Sequence, residues 1–249
     1  MRLGIIGDIH GNLLALEACL TTLRGSGVDA IFDLGDIAFG SLEPRETLDL
    51  LLAEGIASVR GNQDRVLTET PVSLIGNPDL ESVKGQLSST HLEYLRSLPV
   101  TRELDGVLLC HGTLSDDETC LLEKITPEGV WLEDDTAIST KLAGVGCSLI
   151  LCGHSHISRT VRLEDGRLVV NPGSVGMPAY DHDLPYPHVM QSGSPHARCA
   201  VLTRSRRGWD VQHLCMTYDW EAAARKALEH GRPDRAAWLC MGRAQLPCE

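Results

Sequence analysis

The stretch Leu3-Gly4-Ile5-Ile6-Gly7-Asp8-Ile9-His10-Gly11-Asn12 decides how the rest of the chain is read. A short apolar run ends on a glycine, an acid and a histidine. Asn12 then caps a helical pattern in which Leu13, Leu16, Leu20 and Leu23 share one face as far as Gly25. The unit repeats in kind. Val28 to Leu34 reads as a strand, and Pro44 opens a helix carrying Leu48, Leu51 and Leu52 that stops at Gly55. Ile56 to Val59 is a third strand. This β-α-β-α-β order predicts a parallel sheet flanked by helices.

Working outward, Thr68 to Lys84 has weak periodicity and reads as loop with a short helix, and a better helix runs from about Ser89 to Ser97. Val100 to Leu104 and Val107 to Cys110 form a hairpin around Asp105-Gly106. Thr113 to Gly146 is expected to be mostly helical and acidic, and Ser148 to Cys152 a buried strand. A second hairpin pairs Thr160 to Leu163 with Leu168 to Val170. The segment Gly176 to Ala197 carries four prolines and no period, which predicts a structureless loop, either a lid or disordered. Strands at Arg198 to Leu202 and Trp209 to Cys215 follow, then helices from about Trp220 to His230 and after Pro233. Repeats and linkers are absent, so residues 1–249 read as one domain, its closing strands and helices occupying 198–249.

Composition narrows the class. The chain has 249 residues, 43% hydrophobic and 22% charged, values of an ordinary soluble enzyme large enough to need no disulfide staple. Net charge is −12 and only ten residues are Phe, Trp or Tyr, so binding to a nucleic-acid polymer is not expected. No apolar run approaches a membrane span, and the start turns polar too soon for a signal peptide, which makes the cytoplasm the default. The nine cysteines (19, 110, 120, 147, 152, 199, 215, 240, 248) include no C-x-x-C pair and fit reduced thiols.

Five polar motifs sit directly after strands: Gly7-Asp8-Ile9-His10, Gly35-Asp36, Gly61-Asn62, His111-Gly112 and Gly153-His154-Ser155-His156. The carboxyl ends of strands in an open α/β sheet share one rim, where ligands bind, so the motifs should converge. Each alone is an ordinary loop cap or turn; the ordered set is not. It offers two carboxylates, four imidazoles and one amide oxygen without sulfur, a donor set for Mn, Fe, Zn, Ni or Co. Seven ligands are too many for one ion and fill two sites if a carboxylate bridges. Two divalent ions would also explain how an acidic chain attracts an anionic substrate.

The succession GDIHGN, GD, GNQD, HG and GHSH resembles the calcineurin-like metallophosphoesterase superfamily, and Asn171-Pro172-Gly173-Ser174 resembles its smaller bacterial and archaeal phosphodiesterase branch. These motifs span residues 7–174. The resemblance implies a four-layer α/β/β/α sandwich with two mixed β-sheets. It also implies one metal on Asp8, His10, Asp36 and His156 and a second on Asp36, Asn62, His111 and His154, with Asp36 bridging. A metal-bound hydroxide would then attack phosphorus in a small phosphodiester or nucleotide-type substrate, with Asp36, Asn62 and His111 as the catalytic group. A non-catalytic scaffold of the same fold, which could purify without tightly bound ions, and a protein phosphatase are the other readings. The oligomeric state is left open.

One position departs from the pattern. Many members carry a histidine after Gly-Asn, thought to protonate or bind the leaving group, where this chain has Gln63. A glutamine amide hydrogen-bonds but delivers no proton at neutral pH, which favours esters with stable leaving groups. The alternative is a histidine from the 176–197 segment: His182, His188 or His196. Arg60 is a candidate for a substrate phosphate, along with Asn62 and Gln63, or else pairs with a surface carboxylate. Asn171 and Ser174 shape the site floor or merely a tight turn, and Arg204, Arg206 and Arg207 read as a solvated hairpin turn.

Overall fold

The computed structural model describes residues 1–246, so Cys248 lies outside it. The opening units are β1 (Arg2–Ile6), α1 (Leu13–Gly25), β2 (Ala30–Asp33), α2 (Pro44–Ala53) and β3 (Ala57–Ser58). The Asn12 side chain accepts from Ala15 N at 3.2 Å and starts α1 as expected. Next come α3 (Asn62–Thr68), a single 3₁₀ turn, α4 (Pro78–Gln86), α5 (Ser89–Ser97), β4 (Thr101–Leu104) and β5 (Val107–Cys110). Sequence reading missed α3, since Gly-Asn-Gln-Asp looks like a turn. Its signal is an acid three residues after the Gly61 cap: the Asp64 carboxylate accepts from Gly61 N at 3.0 Å.

Two expectations are corrected. The 113–146 segment is not mostly helical: β6 (Glu123–Thr126) and β7 (Gly129–Leu132) pair antiparallel before a short α6 (Asp135–Lys141). Thr126-Pro127-Glu128-Gly129 makes the turn, with proline early and Gly129 at φ +135°, and the acidic flanks obscured this signal. After β8 (Leu149–Leu151), β9 (Arg159–Arg162) and β10 (Leu168–Asn171), the lid segment is likewise ordered. It forms a hairpin of β11 (Ala179–His182) and β12 (His188–Gln191), in which His182 faces His188. Pro185 and Pro187 lie in its turn, where missing N–H groups cost nothing, and the flanking strands are too short to show alternation. The chain ends with β13 (Ala197–Ser205), β14 (Gly208–Met216), α7 (Trp220–Glu229) and α8 (Pro233–Met241).

One sheet runs β14-β13-β1-β2-β3 and the other β4-β5-β8-β10-β9; both mix parallel and antiparallel pairs. Period-two alternation decides the layers. Leu3, Ile5 and Leu34 point from the first sheet toward Leu109, Leu149, Leu151 and Val170 of the second, forming a sealed inter-sheet core. On the outer face of the first sheet, Ile6 and Val201 pack beneath Leu16, Leu20, Leu48 and Leu95 of the helices. On the far side Ile150, Cys152 and Val169 are covered by Ile138 and Leu142. The result is a four-layer α/β/β/α sandwich with two mixed sheets, its fourth layer thin because α6 shares the work with the β6–β7 hairpin. Each fully buried leucine contributes about 2 kcal/mol by area, so the helices stay on the sheets through these apolar faces. The basic cluster at Arg204, Arg206 and Arg207 flanks the β13–β14 turn, with Arg204 stacked 5.7 Å over Trp209. No helix among the described residues is long and apolar enough to cross a membrane.

Candidate metal centre

The five motifs follow strand ends on one rim shared by both sheets. Asp8 and His10 follow β1, Asp36 follows β2, and Asn62 opens α3 just past β3. His111 follows β5, while His154 and His156 follow β8. Their side chains meet in two groups, Asp8 with His10 and His156, and Asp36 with His111 and His154; in each, the potential ligand atoms lie within 4.8 Å of one another. Asp36 joins the groups: its Oδ2 lies 3.8 Å from His10 Nε2 and 3.4 Å from His111 Nε2. The Asn62 carboxamide oxygen is 3.1 Å from His111 Nε2.

Backbone strain is concentrated here. Asp8, His10, Asp36, His154 and His156 hold φ between +50° and +67°, and the sole other non-glycine residue of this kind among the described residues is Asp105, in a hairpin turn. Each such residue costs on the order of 1–3 kcal/mol, so the surroundings must impose it. They do so by extending the sheet pairing beyond the strands: Asp8 N donates to Gly35 O (2.9 Å), His10 N to Asp36 O (3.0 Å) and Gly11 N to Ile37 O (2.9 Å). Asp64, which sequence reading passed over, holds the central loop. Its fully buried carboxylate accepts from the amides of Asp36 (2.8 Å), Ile37 (2.9 Å) and Gly61 (3.0 Å). Gly61 must be glycine because a Cβ would strike Asp36 Oδ1 and come within 2.5 Å of its amide.

The imidazoles are oriented from behind. Nδ1 of His10 donates to Phe39 O (2.9 Å), of His111 to Leu34 O (2.8 Å) and of His156 to Met177 O (2.6 Å), while His154 uses Nε2 toward Glu118 O (2.7 Å). The opposite nitrogens therefore face the centre as acceptors when neutral. That makes the arrangement repulsive as it stands: His10 Nε2 and His156 Nε2 are 3.1 Å apart, with Asp8 Oδ1 3.5 Å from the latter. Asp8 Oδ2 is buried without a hydrogen-bond partner. Converging lone pairs and an orphaned carboxylate oxygen are what a cation would satisfy, so these residues fit a metal.

Electrostatics agrees. Burial pushes Asp8 up to about 8, and lowers His10 and His154 to about 4, His154 with help from the neighbouring His111. Burial also drives His156 well down. For His111 burial works downward, but the Asp36 carboxylate overcomes it and raises the imidazole to about 10. Asp36 is held below the ordinary carboxylate range by His111 despite its burial.

Other expected residues have definite places. Ser174 Oγ donates to Asp8 O (2.7 Å), and Asn171 Nδ2 to Gly153 O (2.8 Å), so both build the floor beneath the strand ends. Gln63 reaches Asp36 Oδ1 through its backbone amide at 2.8 Å. The Arg60 guanidinium pairs with Glu69 at 3.0 Å. Tyr180 of β11 was not foreseen: its ring packs edge-on against His156 at 4.6 Å and its hydroxyl donates to His154 O at 3.1 Å.

The family model for the calcineurin-like phosphoesterase superfamily domain matches residues 1–187, three quarters of the chain. The chain belongs to that superfamily. An uncharacterized protein of Methanocaldococcus jannaschii is 30% identical over 198 residues, covering 71% of this chain and 76% of its own. The crystal structure of a metallophosphoesterase from Sphaerobacter thermophilus superimposes with a TM-score of 0.73 at 24% identity, over 96% of this chain and 98% of that one. A protein described as a proposed diadenosine tetraphosphatase has a TM-score of 0.52 at 19% identity, over 87% and 94%. These two structures share the calcineurin-like fold. The calcineurin-like superfamily is one of metal-dependent phosphoester hydrolases, and this chain brings together two candidate groups of metal-ligating side chains.

Proposed function

We propose that the chain is a dinuclear metal-dependent phosphoesterase acting on a small phosphodiester or nucleotide-type phosphate. The observation that carries this is the shared position of Asp36 Oδ2, between two clustered ligand groups and facing His10 and His111. Asp8, His10, Asp36 and His156 would hold one divalent ion, and Asp36, Asn62, His111 and His154 the other. Bound there, the ions supply Lewis acidity toward water and phosphoryl oxygens.

The chain's own residues do the rest. Asp64 fixes the Asp36 backbone amide and Gln63 N holds its Oδ1, so that one carboxylate oxygen stays on the backbone while the other faces the imidazoles. Carbonyl partners lock the four rings, which avoids reorganisation cost when substrate arrives. Asn62 turns its oxygen to His111, leaving its Nδ2 to donate to a phosphoryl oxygen. Gln63, beside it at the start of α3, has a side-chain amide for the same use. Arg60 is engaged by Glu69, and we give it no part.

Metal-stripped protein reconstituted with Mn²⁺, Co²⁺, Ni²⁺ or Zn²⁺ should take up about two ions per chain and recover turnover of bis(para-nitrophenyl) phosphate. Uptake of one ion or none, with no turnover under any metal, would sink the reading. Ion uptake should also release protons. At pH 7 His10, His154 and His156 are neutral and Asp36 is ionised, whereas Asp8 and His111, raised to about 8 and 10, still carry protons that the ions displace. Calorimetric titration in buffers of different ionisation enthalpy should report about two protons released at pH 7. Affinity should rise with pH until those groups are deprotonated; an affinity independent of pH would contradict this.

A further inference from the structure

Gln63 leaves the leaving group without an evident proton donor, and the 176–197 segment holds three histidines that the proposed function does not use. The structure separates them. His196 stacks on Trp220 at 5.4 Å in a groove beside α1, lined also by Glu17 and Tyr218, away from the ligand groups. His188 is buried, with Nδ1 directed to Tyr186 O at 2.7 Å, and serves as the cross-strand neighbour of His182. His182 stands differently.

The β11–β12 hairpin is fastened to the metal centre. Met177 O, just before it, accepts from His156, and Tyr180 on β11 touches both His156 and His154. Side chains two apart on a strand share a face, so His182 projects on the Tyr180 side. Asp181, between them, takes the opposite face, where its charge is felt by Arg232, which precedes α8, and by Arg235 within it. The His182 face is the one Tyr180 lays against His156 and His154, which aims His182 along the same side of the hairpin as the two ligand imidazoles. Its ring is held by the His188 ring at 5.8 Å and by the Leu184 backbone, whose N–H donates to Nδ1 at 3.1 Å and whose carbonyl oxygen lies 3.0 Å from the same nitrogen. Nδ1 is thus committed to the turn. Nε2 makes no hydrogen bond among the described residues and is the ring nitrogen left open to a ligand.

Resting on the phosphoesterase reading, we propose that His182 is the leaving-group acid, supplied by the hairpin in place of a histidine at Gln63. As a water oxygen bonds to phosphorus, the ester P–O bond breaks with its electron pair on the leaving oxygen. That oxygen takes the proton from His182 Nε2. The proton shed by the attacking water passes to solvent, and solvent reprotonates Nε2. The consequence for specificity is direct: esters with basic leaving groups are substrates because of His182, and without it the chain is confined to leaving groups stable as anions.

The test compares bis(para-nitrophenyl) phosphate with diphenyl phosphate, whose leaving group is more basic, using Mn²⁺-loaded wild type, His182→Ala and His182→Gln. Both variants should lower kcat/KM for diphenyl phosphate about 100-fold more than for the nitrophenyl ester. Added imidazole should restore part of the diphenyl phosphate rate in His182→Ala, which a merely structural role would not allow. Equal losses on the two esters, or no loss, would overturn the assignment while leaving the phosphoesterase reading intact. Wild type that turns over neither ester would overturn both.

Discussion

Replacing Asp36 by asparagine should lower metal-dependent phosphodiester turnover by at least about 10³-fold, roughly 4 kcal/mol of transition-state stabilisation. The substitution is nearly isosteric. Oδ1 can still accept from Gln63 N, and the backbone amide still donates to Asp64, so the loop should keep its shape. What changes is charge. Asp36 is 2% exposed, and its Oδ2 is the carboxylate oxygen set between His10 and His111. An amide there donates instead of accepting and removes the negative charge needed to hold two cations together. Circular dichroism and the urea midpoint should stay near wild type while metal content falls. A variant with two ions bound and less than about tenfold loss would show that Asp36 is not the shared ligand.

Asp64→Ala should have the largest effect on stability. The side chain satisfies three backbone amides in a site with no water access, and each N–H left unpaired costs about 1–3 kcal/mol. Urea unfolding should show a loss of about 3–5 kcal/mol. Turnover should fall as well, because Asp36 at φ +56° is kept in that conformation by these same bonds. Asp64→Asn, retaining an acceptor oxygen, should lie between alanine and wild type. A stability loss below about 1 kcal/mol for alanine would mean the amides find other partners.

The parts of the fold legible in the sequence were those with strong local signals. The opening β-α-β-α-β was carried by apolar periodicity and caps, and α5 by its face of leucines. The hairpin at Asp105-Gly106 was carried by its turn dipeptide; Asp105 and Gly106 both take positive φ, as that turn demands. The two failures, at 113–146 and 176–197, share a cause. Both hold hairpins of four-residue strands, too short for alternation to register, with Pro127 in one turn and Pro185 and Pro187 in the other, so the stronger signal was irregularity. Within the centre, the seven clustered donors were all named from their motifs. Asp64 and Tyr180 were not: the acid three residues after Gly61 is masked by the turn-like look of Gly-Asn-Gln-Asp, and a tyrosine on a distant hairpin carries no spacing that marks it.

Local chemistry in the chain thus determined which residue types end the strands, and that they have the composition of a nitrogen and oxygen donor set. Only the tertiary structure decided that Asp36 Oδ2 stands between His10 and His111, that five of these residues adopt left-handed backbone, and that Tyr180 of a late hairpin lies against His154 and His156. Residue type and short-range spacing are written along the chain. The approach of β8 to β1, and of a late hairpin to both, depends on burying apolar faces from two sheets against each other. No segment carries that packing by itself.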